Sequence, residues 1–183
     1  MNRLYSLKEK VEVAVCREAV YEVVCLANGT TRLVAGVQGS NPEVLEALVR
    51  TLPGPFALLY VLHTPRGEGV PGRYQSPEMD LESVAEFLKK FRGFLMSDGR
   101  YDLWVRCFGS RSTLVWDRHD LLFGYGDEQA FSRALERVGY IPGRVAQLGA
   151  HAHHYRAEND HAAAFLLSYL PWVHSALKPE DEQ

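Results

Sequence analysis

Phe56-Ala-Leu-Leu-Tyr-Val-Leu62 is the stretch that decides the fold of this chain. Seven consecutive apolar or aromatic residues match the usual length of one strand and are far too few to cross a bilayer. A strand without polar alternation is expected where both faces of a sheet are covered. The sequence therefore predicts a central strand here, with His63 at its end.

A helix is predicted on each side of this strand. Residues 41–52 begin with Asn41-Pro42, which suits a cap and a first helical turn, and they carry an apolar stripe at helical spacing. Pro53-Gly54-Pro55 ends that helix. Residues 80–95 form the second helix, capped near Asp80, with the clearest amphipathic pattern in the chain.

Further strands are predicted by β-branched and aromatic runs separated by turn residues. Asn28-Gly29 joins Tyr21–Ala27 to Arg32–Val37 as a hairpin, and residues 101–108, 113–116 and 121–125 form a three-stranded meander. A helix over 127–139, a short strand over 145–148 and a last helix over 159–170 complete the order. Residues 6–18 fit either a helix capped by Ser6 or a strand.

These elements predict one α+β domain over residues 1–183, a mixed, largely antiparallel sheet packed by helices, with a frayed charged tail at 178–183. The order also suggests two pseudo-symmetric ββαβα halves, residues 19–97 and 100–174. A pseudo-two-fold axis would place His63 and His151 symmetrically. A groove between Thr64–Pro77, interpreted as a long loop, and residues 150–160 would then be the ligand site.

Composition narrows the class of protein. Hydrophobic residues at 46% and charged residues at 23% exclude a disordered chain, and a net charge of −3 argues against a nucleic-acid partner. No secretion signal or membrane span is expected. Cys16, Cys25 and Cys107 are too far apart for a zinc pair or redox motif, so buried free thiols in a reducing cytoplasm are expected.

The stretch Ala150-His-Ala-His-His-Tyr-Arg-Ala-Glu-Asn-Asp-His161 holds four of the seven histidines and is the first candidate site. His151 and His153 would point to one side of an extended segment. Glu158 and His161 would share a helix face. Imidazole with carboxylate suits zinc, iron, nickel or manganese. The sequence therefore allows a divalent metal and a metal-assisted hydrolase.

A polar pocket for a small anionic molecule or an acidic segment of a protein partner is the leading interpretation. Arginines would supply fixed charge, histidines a pH-dependent charge, and one tyrosine a stacking face. The candidate residues are His63, Arg66, Arg73, Tyr74, His151, His153, His154 and Arg156.

A third interpretation is a protein-interaction module of the inhibitor or immunity type, in which the histidines are incidental. Sheet edges in the meander make a homodimer plausible. His119 lies in a tight turn with Arg118 and Asp120 and is expected to be solvated.

Overall fold

The computed structural model describes residues 3–8 and 11–181, and in this part of the chain five helices and twelve strands form one α+β domain, as predicted. The strands are β1 (Leu4–Lys8), β2 (Val11–Ala14), β3 (Val20–Cys25), β4 (Thr31–Gly36), β5 (Phe56–Leu62), β6 (Gly72–Gln75), β7 (Tyr101–Cys107), β8 (Thr113–Trp116), β9 (Leu121–Tyr125), β10 (Ile141–Pro142), β11 (Ala152–His153) and β12 (Val173–Ser175). The helices are α1 (Glu43–Val49), α2 (Leu81–Lys90), α3 (Arg92–Ser97), α4 (Glu128–Arg137) and α5 (Asp160–Tyr169).

Nine strands form the main sheet, in the order β10-β3-β4-β9-β8-β7-β5-β6-β12. Only the β10–β3 pair is parallel among the described strands of this sheet. The β5 strand pairs with β7 over its whole length and with β6 on its other side, and six of its seven residues are buried. The prediction of a central strand at Phe56–Leu62 is confirmed.

The hydrophobic core lies on one face of this sheet, under the helices. Alternate residues of the strands, such as Leu58 and Tyr60 on β5, point into it and are fully buried. The opposite face carries a smaller apolar cluster built around Val115 and Phe123. The helices therefore cover one face of the sheet more fully than the other.

Several predicted elements are confirmed. They are the hairpin at Asn28-Gly29, the three-stranded meander, and the helices predicted over 127–139 and 159–170. The helix predicted over 80–95 is divided into α2 and α3 at Phe91, whose backbone leaves the helical region (φ −96°, ψ 8°). The strand predicted over 145–148 is wrong. The Val145 N–H donates to the Glu22 side chain at 2.9 Å instead of to a neighbouring strand.

The helical interpretation of residues 6–18 is wrong, because β1 and β2 form a hairpin there; residues 9 and 10, part of the predicted helix, lie outside the described residues. With β11 these strands form a separate three-stranded sheet in the order β11-β1-β2. Thr64–Pro77 is not entirely a loop, because Gly72–Gln75 forms β6, which β5 and β12 hold on both sides.

Internal duplication is not confirmed. His63 follows β5 of the main sheet, whereas His151 precedes β11 of the three-stranded sheet, so the two histidines are not related across one sheet.

Two smaller expectations also need correction. The tail is not uniformly frayed, since Asp181 is buried, and Cys16 and Cys25 are exposed thiols. None of the helices in the described part is long and apolar enough to cross a membrane.

Candidate metal centre

The turn between β8 and β9 is shaped by the carboxylate of Asp117. Its Oδ1 accepts the backbone N–H of His119 at 2.9 Å and of Leu121 at 2.8 Å. Its Oδ2 lies 3.0 Å from Nδ1 of the His119 ring. An aspartate that accepts backbone N–H groups two and four residues onward is a common way to close a tight turn. The same side chain therefore sets both the turn and the orientation of its histidine.

Arg3, which precedes β1, binds this turn through an ion pair and a hydrogen bond. Its side chain is fully buried, its Nε lies 2.7 Å from Asp120 Oδ1, and its Nη2 donates to the carbonyl of Asp117. The guanidinium also lies over the Trp116 ring, 4.4 Å from the centroid. A buried arginine requires such partners, because an unpaired charge there would be strongly destabilising. The position of β1 relative to the turn is fixed in this way.

The β11 strand brings the histidine-rich stretch to the same place. His153 pairs with Leu4 of β1, and the N–H of His154 donates to the carbonyl of Arg3 at 2.9 Å. On the other side, the N–H of Gly99 donates to the carbonyl of His154 at 2.9 Å. His153 is thus held beside the turn that carries His119, although the two residues are distant in sequence.

His119, His151 and His153 meet as three partly buried rings, which we call the histidine cluster. Ring centroids are 5.1 Å apart for His119 and His151, 5.2 Å for His119 and His153, and 5.4 Å for His151 and His153. One nitrogen from each ring lies within 4.8 Å of the other two. Among the described residues this is the one group of three potential ligand side chains close enough to share an ion.

Hydrogen bonds at Nδ1 of His119 and of His151 select the tautomer of each ring. Nδ1 of His119 faces the Asp117 carboxylate, and Nδ1 of His151 faces the Gly149 carbonyl at 2.8 Å. Both partners are acceptors, so each Nδ1 carries the proton and each Nε2 keeps its lone pair. Histidines that bind a metal through one nitrogen almost always donate the other N–H to a carboxylate or carbonyl in this way.

The pKa of the His153 ring is strongly affected by its surroundings. The pKa of His153 is lowered to about 3, first by burial and then by the neighbouring His119, His151, Arg118 and Arg3. The ring is therefore neutral at pH 7 and available as a ligand. Its Nδ1 is buried and has no hydrogen-bond partner among the described residues.

Three imidazoles converging on one point can hold a tetrahedral ion with one position left over. Zinc takes histidine nitrogens at about 2.0–2.1 Å, so ligand nitrogens as far as 4.8 Å apart must move closer together to bind one ion. The remaining position would go to water or a substrate, which distinguishes catalytic from structural zinc sites. The arrangement suits Lewis-acid chemistry and the activation of water.

Two of the four metal ligands suggested by the sequence, His151 and His153, belong to this cluster. The other two do not: Glu158 is exposed and lies 3.7 Å from Arg156, and His161 is exposed on α5. Sequence analysis missed His119, whose side chain is only 20% exposed and not the solvated turn residue we expected. The Asp117-Arg-His119 order, an acceptor two residues before a histidine, was the available signal.

The anion-binding residues suggested by the sequence are dispersed. His63 Nε2 lies 2.8 Å from Asp102 Oδ2, with both side chains nearly buried. The Tyr74 hydroxyl donates to the Val70 carbonyl at 2.8 Å. His154 stacks on Tyr5 with ring centroids 4.3 Å apart. Of the eight candidates, His151 and His153 are the two that converge with each other and with His119.

The arginines among those candidates have carboxylate partners within the chain. Arg66 Nε lies 3.1 Å from Asp160 Oδ1, Arg73 Nη1 lies 3.3 Å from Asp181 Oδ1, and Arg156 faces Glu158. The Arg66–Asp160 pair bridges the groove expected between Thr64–Pro77 and residues 150–160.

Arg100 is the centre of that bridge, which we call the arginine network. Its fully buried guanidinium lies 2.7 Å from Asp98 Oδ1, 2.9 Å from Glu68 Oε1 and 3.1 Å from Asp160 Oδ1. It also donates to the Arg156 carbonyl at 3.2 Å. Sequence analysis did not single out Arg100 or Asp98, because charged residues without a motif are usually exposed.

Comparison of the chain with protein-family models, with curated proteins and with solved structures found no match.

Proposed function

We propose that this protein binds one divalent transition metal, zinc in the first instance, at His119, His151 and His153, and uses it in hydrolysis. The observation that carries the proposal is the convergence of three imidazole nitrogens within 4.8 Å of one another. The tautomers of His119 and His151, each fixed by an acceptor on the other ring nitrogen, support it independently.

The choice of metal follows from the donor set. Neutral imidazole suits zinc, copper and nickel, whereas magnesium and calcium prefer oxygen ligands. Three histidines with the fourth position open to water are an established arrangement for catalytic zinc. Such a metal lowers the pKa of its bound water towards 7 and polarises a carbonyl or phosphoryl oxygen.

The chain's own residues would divide the remaining tasks. Asp117 holds the His119 ring and offsets positive charge. Arg3 keeps β1 and the β8–β9 turn in register, so that His153 stays beside His119. Arg118, whose positive charge reaches His153, would favour an anionic species at the open position.

The test uses protein purified without a histidine tag. Metal content is measured by plasma emission after dialysis, and zinc affinity by competition with a chromophoric chelator. We expect about one zinc per chain, and affinity at least about 100-fold weaker in His119→Ala and His153→Ala. His161→Ala is the matched control, because His161 is an exposed histidine outside the cluster, and it should bind zinc as the unaltered protein does.

Equal zinc affinity in His119→Ala and the unaltered protein would contradict the proposed site. With the site established, ester and phosphoester substrates are assayed with and without zinc. Zinc-dependent turnover that His119→Ala abolishes is the expected result. Tight zinc binding without turnover would keep the metal site and remove the hydrolytic role.

Binding of an anion between the two loops, the leading expectation from the sequence, has less support. Arg66 and Arg156 already face carboxylates of the chain, and Arg100 fills the space between the loops with paired charge. Location in a reducing cytoplasm stays part of the proposal, because Cys16 and Cys25 are free, exposed thiols.

A further inference from the structure

A cavity of about 250 Å³ opens on the face of the main sheet opposite the helices, separate from the histidine cluster. Strand register places Trp104 of β7 opposite Leu59 of β5, and Leu59 opposite Gln75 of β6. Because side chains alternate along a strand, these three point to the same side. None of the three clustered histidines lines this cavity.

Trp104 supplies a polar atom that the protein leaves unused. The indole Nε1 is buried and has no hydrogen-bond partner among the described residues. Indole nitrogen only donates, so its partner must be an acceptor. A buried donor without an acceptor is destabilising, and native proteins that keep one commonly complete it with water or a ligand.

The charged side chains that line the cavity are both arginines, Arg73 and Arg106. Arg106 Nη1 donates to the Arg111 carbonyl and to Thr113 Oγ1, both at 2.7 Å, which holds the guanidinium in place. Arg73 lies over the Trp104 ring, 5.5 Å from its centroid. Arg73 Nη1 lies 3.3 Å from Asp181 Oδ1 as an ion pair, and neither atom makes a hydrogen bond among the described residues.

The rest of the lining is mostly apolar. Leu59 and Ala57 contribute aliphatic surface, and Phe108 presents an aromatic ring that is 48% exposed at the cavity. An exposed aromatic beside convergent polar groups is typical of a small-molecule site. The volume lies near the lower end for such sites, which suits a single ring or a short chain.

We propose that this cavity binds a small organic anion, a carboxylate on an aromatic or compact apolar body. The carboxylate would accept from Trp104 Nε1 and pair with Arg106, and the apolar body would lie against Leu59 and Phe108. The donors of the lining, Trp104 Nε1 and the two arginines, require acceptors on the ligand. The proposal does not depend on the metal site.

Isothermal titration calorimetry tests this with benzoate as the probe, and with benzamide as the uncharged analogue. Phenyl phosphate and inorganic phosphate separate a carboxylate site from a general anion site. The variants are Trp104→Phe, which keeps an aromatic ring and removes the N–H, and Arg106→Gln. Arg133→Gln on α4, the helix on the opposite face of the sheet, is the matched control.

We expect saturable benzoate binding at millimolar or lower concentration. Trp104→Phe and Arg106→Gln should each weaken it about tenfold, as expected for loss of a charge-assisted hydrogen bond. Arg133→Gln should not change it, and benzamide should bind at least about tenfold more weakly. Chelator-treated and zinc-loaded protein should give the same benzoate affinity, so failure here is distinguishable from failure of the metal site.

Three results would overturn the proposal. The first is no saturable binding of benzoate or phenyl phosphate. The second is benzoate binding that Trp104→Phe and Arg106→Gln leave unchanged, which would place the ligand elsewhere. The third is binding of inorganic phosphate as tight as that of phenyl phosphate with none of benzoate, which would show a simple anion site.

Discussion

The arginine network and the histidine cluster are both groups of polar side chains brought together from distant parts of the chain, yet they differ in completeness. Around Arg100 every donor identified above has an acceptor, from Asp98, Glu68 or Asp160. In the histidine cluster, Nδ1 of His119 and of His151 has an acceptor, whereas Nδ1 of His153 has no partner among the described residues. A saturated cluster stabilises the fold, whereas converging imidazoles are groups that can serve as metal ligands.

The strongest test of this comparison is Arg100→Met. It leaves Asp98 buried without its positive partner, and breaking a buried pair in this way costs about 3–5 kcal/mol. Urea unfolding should show a loss of this size. Arg50→Gln, which removes an exposed pair with Glu46, is the control and should change the midpoint little. A small loss for Arg100→Met would mean that the network is not structural.

Asp117→Asn should separate support of the metal site from support of the turn. The asparagine oxygen can still accept the backbone N–H groups, but its amide cannot accept the proton of His119 Nδ1. Zinc affinity should fall about 10–100-fold, the usual effect of removing such a partner. Asp127→Asn, at the N-terminus of α4, is the matched control. Unchanged affinity in Asp117→Asn would show that the tautomer is set elsewhere.

Gly99→Ala addresses how closely His153 is packed. A Cβ at Gly99 would lie 2.9 Å from His153 Cβ and 3.0 Å from its Nδ1, so the ring or its strand must shift. We expect zinc affinity to weaken by up to about tenfold, measured by chelator competition. Gly93→Ala is the control, because a Cβ there meets no atom within 4 Å. Equal effects of the two substitutions would argue against a site that depends on this packing.

The last prediction concerns how the stability of the metal-free protein depends on pH. The pKa of His153 is about 3 in the folded chain and near 6.5 when unfolded, so the unfolded chain binds more protons between these values. Stability therefore falls as the pH drops from 6.5 towards 3, and His153 contributes no slope above that range. In His153→Gln this part of the slope should disappear, a change of up to about 1.4 kcal/mol per pH unit below pH 6. Identical slopes in urea unfolding at pH 7, 6 and 5 would contradict it.

Sequence predicted the parts of this molecule that depend on local patterns. The apolar run at Phe56–Leu62, the turn at Asn28-Gly29 and the amphipathic helices each carry their signal within one segment. The pairing of β1 with the two-residue strand β11 carries no such signal, because it joins residues at opposite ends of the sequence. Residues 6–18 were ambiguous for the same reason. Strands as short as β1 and β2 are stabilised by the strands they pair with, and the sequence of one segment does not show that pairing.

Two of the three histidines in the cluster could be predicted from the sequence. His151 and His153 alternate along an extended segment, so their shared side could be inferred. His119 could not be placed with them, because its position depends on Arg3 and Asp120, which form a buried pair across most of the chain. Arg73 was suggested as an anion ligand, and it lines the Trp104 cavity, but nothing in the sequence connected it to Trp104.

The pairing of Leu4 with His153 has a consequence for synthesis of the chain. A ribosome that has produced β1 and β2 must add more than half of the polypeptide before the third strand of that small sheet exists. Long-range pairings of this kind form late. The proposed metal site would thus form only after His153 has been added, and a chain stalled before residue 151 would leave Leu4 without its partner strand.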